Sequence, residues 1–205
     1  MTQIAIRRSP QPVPVSLDIG SALRLSDDEL LALCRKNPEL RIERSAEGDL
    51  IVMTPAGGES SRRNARLVAS LVNWADKDGT GEVYDSSGGF LLPNGAMRAP
   101  DAAWVQRSRL AELSAEQREG FLPLCPDFVA ELRSPSDVLR DLQAKMQEYV
   151  DNGARLGWLI DPTENRVVVY RPDREPQVLE EPLDVAASPE LPGFVLDLRP
   201  ILSIA

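Results

Sequence analysis

Apolar and polar positions along the chain change period several times, and each change marks an element. Leu30, Leu31 and Leu33 follow Ser26 and Glu29, the serine–glutamate spacing in which each side chain caps the other's backbone N–H. A helix is predicted over 27–36, stopping before Pro38, because the residue preceding a proline is pushed out of the helical region. Leu40-Arg41-Ile42-Glu43-Arg44 alternates, and Leu50-Ile51-Val52-Met53 follows a Glu47-Gly48-Asp49 turn, which predicts a hairpin. Ala65, Val68, Ala69, Leu71, Val72 and Ala75 then recur at helical spacing, predicting a long helix over about 59–78 that ends at Gly79 and Gly81.

The second half alternates strand and helix signals. Strands are predicted at about 81–85, 89–92, 101–105 and 127–133, with a Pro93-Asn94-Gly95 turn and a short helix at 110–117. Ser134-Pro135-Ser136-Asp137 reads as the cap of a helix over about 137–152, closed by Gly153. Trp158-Leu159-Ile160 and Val167-Val168-Val169-Tyr170 are strands around an Asp161-Pro162-Thr163 turn. The Pro-rich remainder predicts a peripheral strand and a short terminal turn. This order gives an α/β fold, a sheet with helices packed on it and an N-terminal helix and hairpin in front. Pro10, Pro12 and Pro14 mark an extended arm, so residues 1–25 are assigned to the arm and 26–205 to a single domain.

Composition narrows the chemistry. The 205 residues include no histidine. That removes Ser-His-Asp and Cys-His catalysis and every zinc site built on His. Cys34 and Cys125 are too far apart in sequence for a zinc ribbon or a redox CxxC. Hard-cation chemistry on carboxylates survives this exclusion best. A net charge of −9 opposes polyanion binding over the whole surface but leaves room for a local basic patch. No stretch approaches the roughly 18 apolar residues of a membrane helix. Met1–Asp18 lacks the apolar core of a signal peptide. Two cysteines without an export signal point to a reducing cytoplasm.

Three ionisable residues sit awkwardly for a purely structural reading. Asp101 follows Pro100 and opens the apolar run Ala102–Val105, and Glu131 lies inside Phe128–Leu132. A carboxylate in such a strand is costly unless paired or bound to metal. Strand period puts Val129, Glu131 and Arg133 on one face. Lys145 shares a helical sector with Val138, Leu142 and Tyr149, so it is expected to reach towards Glu131. Each also has a plain alternative. Asp101 can cap a strand, Glu131 can pair with Arg133, and Lys145 can pair with Asp141 one turn earlier.

Arg98-Ala99-Pro100-Asp101, then Phe128-Val129-Ala130-Glu131-Leu132-Arg133-Ser134-Pro135-Ser136-Asp137, then Lys145, Tyr149, Asn152-Gly153 and Trp158-Leu159-Ile160-Asp161-Pro162 form an ordered series. It resembles the Uma-two family of restriction-endonuclease-like proteins, within the PD-(D/E)XK nuclease superfamily. The likeness takes in Thr54-Pro55 and Gly89–Gly95 and runs from about Ser26 to Leu198. It implies a restriction-endonuclease-like mixed central β-sheet flanked by α-helices. It implies that Asp101 and Glu131 hold Mg²⁺, with Mn²⁺ as a substitute, and that the Leu132 carbonyl is a further ligand. Glu59 is a weaker third carboxylate, since it also suits the helix dipole. Arg133 stands where the superfamily pattern has lysine, and the resemblance implies that Lys145 is the displaced catalytic lysine. Arg133 then becomes an anion clamp or the structural partner of a carboxylate. Arg62, with Arg63 and Arg66, can touch phosphates, although a solvated face explains the cluster better.

The implied activity is Mg²⁺-dependent hydrolysis of phosphodiester bonds, with nucleic acid, DNA first, as partner. The alternatives are a catalytically silent nucleic-acid or protein binding module and a hydrolase of a small phosphorylated substrate. A self-pairing edge or the Pro-rich arm would support a homo-oligomer.

Overall fold

The computed structural model describes residues 15–18, 23, 25–53 and 56–202. Most of the predicted arm and Thr54-Pro55 lie outside them. The arm's described part, β1 (Val15–Leu17), adds antiparallel to the hairpin. Helix α1 (Asp27–Lys36) starts at the Ser26–Glu29 capping box as expected. Strands β2 (Arg41–Arg44) and β3 (Leu50–Met53) form the predicted hairpin. The long helix α2 (Gly58–Asp78) ends on Gly79 in the left-handed conformation at φ 71°, which glycine adopts without a side-chain clash.

Strands β4 (Gly81–Asp85), β5 (Phe90–Leu91), β6 (Met97–Arg98) and β7 (Ala102–Gln106) follow. The single helix expected at 110–117 is instead two, α3 (Arg107–Ala111) and α4 (Ala115–Glu119). Ser114 interrupts them because its side chain and that of Gln117 make a second capping box. Strand β8 (Phe128–Leu132) leads to α5 (Leu139–Asp151). Val138, which has no capping side chain, stands at the start of α5, while Asp137 accepts a 2.7 Å bond from the Ser134 N–H. The Ser134–Asp137 run is therefore a self-closed turn before the helix and not its cap. Strands β9 (Leu156–Asp161) and β10 (Arg166–Tyr170) follow. The tail holds three short strands where one was expected, β11 (Gln177–Glu180), β12 (Asp184–Ala186) and β13 (Val195–Asp197), then α6 (Arg199–Leu202).

The strands make a five-stranded sheet, β1-β3-β2-β6-β5, a six-stranded sheet, β11-β10-β9-β8-β7-β4, and a β12-β13 pair. The larger sheet is mixed: β8 and β9 are parallel, and its other neighbours are antiparallel. A parallel pair needs a long crossover, and α5 supplies it. Helix α2 covers one face through Leu67, Leu71 and Ala75, against Trp104, Phe128 and Trp158. Helix α5 covers the other through Met146 and Tyr149, against Ala103, Val129 and Leu159. Covered on both faces, β8 and β9 are buried along their whole length, which explains their continuous apolar runs. Between β6 and β7 the chain passes from the smaller sheet to the larger, through Ala99, Pro100 and Asp101.

Candidate active site at the seam of two sheets

Pairing register brings the carboxylates together. Ala102 lies opposite Ala130 and Ala103 opposite Val129, so the next step of the ladder sets Asp101 against Glu131. Both then project to the α5 side, the face of Ala103 and Val129. Asp101 Oδ2 accepts the Leu132 N–H at 2.9 Å, so Leu132 turns its backbone polar groups towards β7. Continuing the register, Leu132 faces Pro100, which has no N–H to offer its carbonyl. A proline before Asp101 thus leaves the Leu132 oxygen without a ladder donor beside two carboxylates.

Lys145 reaches in from α5, as expected. Its Nζ lies 2.8 Å from Glu131 Oε1 and 2.8 Å from Glu43 Oε1. Glu43 belongs to β2 and is only 2 % exposed. It also accepts the Ala99 N–H at 3.0 Å and pairs with Arg98 at 3.2 Å. The Nε of Arg98 lies 2.6 Å from Glu148. Tyr149 donates its hydroxyl to Glu131 Oε1 at 3.1 Å, so both contacts on Glu131 fall on one oxygen. Arg41, two residues before Glu43 on β2, points its guanidinium at Asp101 from 3.5 Å.

Burial and charge set the protonation states. Burial pushes Glu131 up to about 7; Asp101 and Glu43 add to this, and Lys145 opposes it. Burial also raises Asp101, against the pull of Arg41 and the Leu132 N–H. Glu43 goes the other way. Burial works against its charge, but Lys145 and Arg98 outweigh it and hold the carboxyl below its usual range. Burial works against the charge of Lys145 as well, yet Glu131 and Glu43 keep its ammonium above the ordinary lysine value. Lys145 is therefore held as a cation. Burial, with Glu131 and Glu43, raises Tyr149 well above its usual value, so it remains a hydroxyl donor.

The other candidates are engaged elsewhere. Glu59 is 59 % exposed and holds Arg62 at 2.9 Å and Arg63 at 3.8 Å. The structure does not bring it to Asp101 and Glu131. Arg62 also donates to the Pro200 carbonyl, the helix-surface pairing that competed with phosphate contact. Arg133 donates at 2.8 Å to Asp161, which is fully buried and also accepts from the Thr163 and Glu164 N–H groups. Of its two expected roles, Arg133 takes that of structural partner. Among the described residues no three carboxylate or cysteine side chains gather into a metal-binding group. Any cation would rest on the Asp101–Glu131 pair and the Leu132 carbonyl, all hard oxygen donors that suit Mg²⁺ with several waters retained.

Sequence reading missed Glu43, Arg98 and Arg41 as site residues. Alternation alone shows Arg41 and Glu43 on one face of a hairpin strand, and such a polar face ordinarily meets solvent. Only the docking of the smaller sheet turns it inward.

A mixed sheet with helices on both faces and an Asp–Glu–Lys cluster at one end is the architecture of restriction-endonuclease-like nucleases. The chain belongs to the Uma2 (Uma-two) family, described as "Putative restriction endonuclease", whose model matches residues 27–199. Among solved structures it is similar to the crystal structure of "a putative nuclease belonging to DUF820" from Anabaena variabilis. The TM-score is 0.71 at 21 % identity, over 87 % of this chain and 97 % of that one, a likeness of fold. No curated protein matches. Family and fold together support a nuclease. Among the described residues no helix is long and apolar enough to cross a membrane.

Proposed function

We propose that the chain is a Mg²⁺-dependent endonuclease, with Mn²⁺ as a substitute, that hydrolyses phosphodiester bonds in DNA. The observation that carries this reading is Lys145, 2.8 Å from Glu131, at the strand ends where register sets Asp101 against Glu131. Asp101, Glu131 and the Leu132 carbonyl would hold the cation. Bound there, it would supply Lewis acidity and a water of lowered pKa. Lys145 has three N–H groups. Glu43 and Glu131 take two, and the third can meet a non-bridging phosphoryl oxygen as charge builds in the transition state. Glu43, itself held by Arg98, fixes the position of Lys145 and, with Glu131, its charge. The attacking water loses a proton to solvent as its oxygen bonds to phosphorus, and the leaving oxygen departs with its electron pair and takes a proton from solvent. A cytoplasmic setting, with Cys34 and Cys125 free, agrees with this reading.

One observation favours a second reading, a catalytically silent binding module: Lys145 and Arg98 already balance the buried glutamates. A nuclease assay with Mg²⁺ or Mn²⁺ separates the two. Metal-dependent cleavage by the wild type that is lost in Asp101→Ala is expected. DNA binding without turnover under either metal supports the silent module, and equal cleavage by both proteins identifies a contaminant.

A further inference from the structure

A phosphodiester needs a cationic group to grip it, and most basic side chains near the site are engaged. Arg133 is bound to buried Asp161, Arg98 to Glu43 and Glu148, and Lys145 to two glutamates. Arg41 is different. Its Nη1 is at the outer limit of contact with Asp101, 3.5 Å, and its Nη2 donates at 3.2 Å to the Ala99 carbonyl. Its Nε, like that of Arg133, is buried without a hydrogen-bond partner, so only the terminal nitrogens can meet a ligand. One third of the side chain is exposed, 33 % against 16 % for Asp101. It is thus a loosely held and partly exposed guanidinium beside the more buried Asp101 carboxylate.

Its placement follows from β2. Residues two apart on a strand share a face, so Arg41 and Glu43 both reach the seam. Glu43 accepts the Ala99 N–H while Arg41 donates to the Ala99 carbonyl. The strand therefore grips Ala99 from both sides, and each terminal nitrogen of the Arg41 guanidinium carries a second N–H beyond its one contact. A guanidinium offers paired N–H groups that match two phosphate oxygens.

We propose that Arg41 is the residue that binds the scissile phosphodiester, gripping its non-bridging oxygens after releasing Asp101 to a cation. This rests on the nuclease reading. In the absence of metal Arg41 partly neutralises Asp101; with metal bound, that carboxylate is satisfied and the guanidinium turns to the phosphate. Arg41 and a cation then compete for Asp101, whereas Arg41 and the phosphate cooperate.

The test is binding of a fluorescent DNA duplex, followed by anisotropy across a salt series in EDTA and in Ca²⁺, with Mn²⁺ calorimetry alongside. Arg41→Gln is expected to weaken duplex binding in Ca²⁺ by about tenfold, the loss of one charge-assisted contact. The slope of log affinity against log salt should fall by about one. Mn²⁺ affinity should rise, since the competitor is gone. Arg199→Gln, which removes an equal charge from an exposed side chain, should leave the slope alone. Wild-type duplex affinity and slope in a folded Arg41→Gln protein would overturn the proposal and leave the nuclease reading standing. A wild-type protein that binds no duplex in either condition overturns both. If Arg41→Gln does not fold, Arg41→Lys decides: a retained salt slope with weaker binding is expected, and wild-type affinity would overturn the proposal.

Discussion

Glu43 and Glu131 share one ammonium, yet their removal should have opposite effects. Glu131→Gln leaves Lys145 its Glu43 partner and removes a carboxylate whose charge the site disfavours. Glu43→Gln takes one of two carboxylate partners from both Lys145 and Arg98, and removing one member of a buried pair typically costs about 3–5 kcal/mol. The pH dependence has a definite sign. The pKa of Glu131 is raised, from 4.5 to about 7, so the folded state binds its proton more tightly than the unfolded chain does. Its contribution to stability is present at low pH and is lost as pH rises through that window. Thermal melts in EDTA should therefore show Glu131→Gln gaining on the wild type from about pH 5 to pH 8, with Glu43→Gln well below both at neutral pH. A large loss in Glu131→Gln at pH 8 would mark Glu131 as a structural ion-pair partner. Lys145→Met keeps the packed stem and deletes the charge; single-turnover cleavage should fall about 10²–10³-fold. An undiminished rate would remove Lys145 from the chemistry. Asp101, Glu131 and Lys145 were legible in the sequence because charge in an apolar strand or stripe is conspicuous. Glu43 was not, because its strand alternates as any surface hairpin does.

At the level of elements, local signals marked starts and stops well. Ser26 with Glu29, and Gly79 in the left-handed region, act where they stand in the chain. Signals that depend on distant partners were harder to read. Met97–Arg98 is only two residues long and exists as a strand because β2 and β5 flank it. The split into α3 and α4 turns on one serine. Gly81 shows the same dependence on packing. A Cβ placed there would lie 2.3 Å from the Trp104 ring and 2.4 Å from the Val105 carbonyl. Because a backbone atom cannot yield as a flexible side chain does, Gly81→Ala should push β4 off β7. Overpacking of this kind costs about 1–3 kcal/mol, readable as a lowered urea midpoint. An unchanged midpoint would show that the edge strand shifts freely.

For the whole molecule, a net charge of −9 means that attraction to a polyanion would have to be local, and on the proposed reading it lies at the seam where Arg41 and Lys145 stand. A cation between Asp101 and Glu131 would bind the folded chain only. Mn²⁺ at about 100 times its dissociation constant should stabilise the protein by about 2.7 kcal/mol, seen as a raised melting temperature in the wild type and absent in Asp101→Ala. An equal rise in both would place the metal elsewhere. The lysine clamp also has a consequence in time. Its two ends, Glu43 and Lys145, lie 102 residues apart, and β8 acquires its parallel neighbour only after α5 has been made. A polypeptide still leaving the ribosome can hold the hairpin and the first carboxylate but not the lysine that joins them. On the proposed reading cleavage needs Lys145, so a nascent chain cannot cut nucleic acid before translation has passed α5 and β9 has paired with β8.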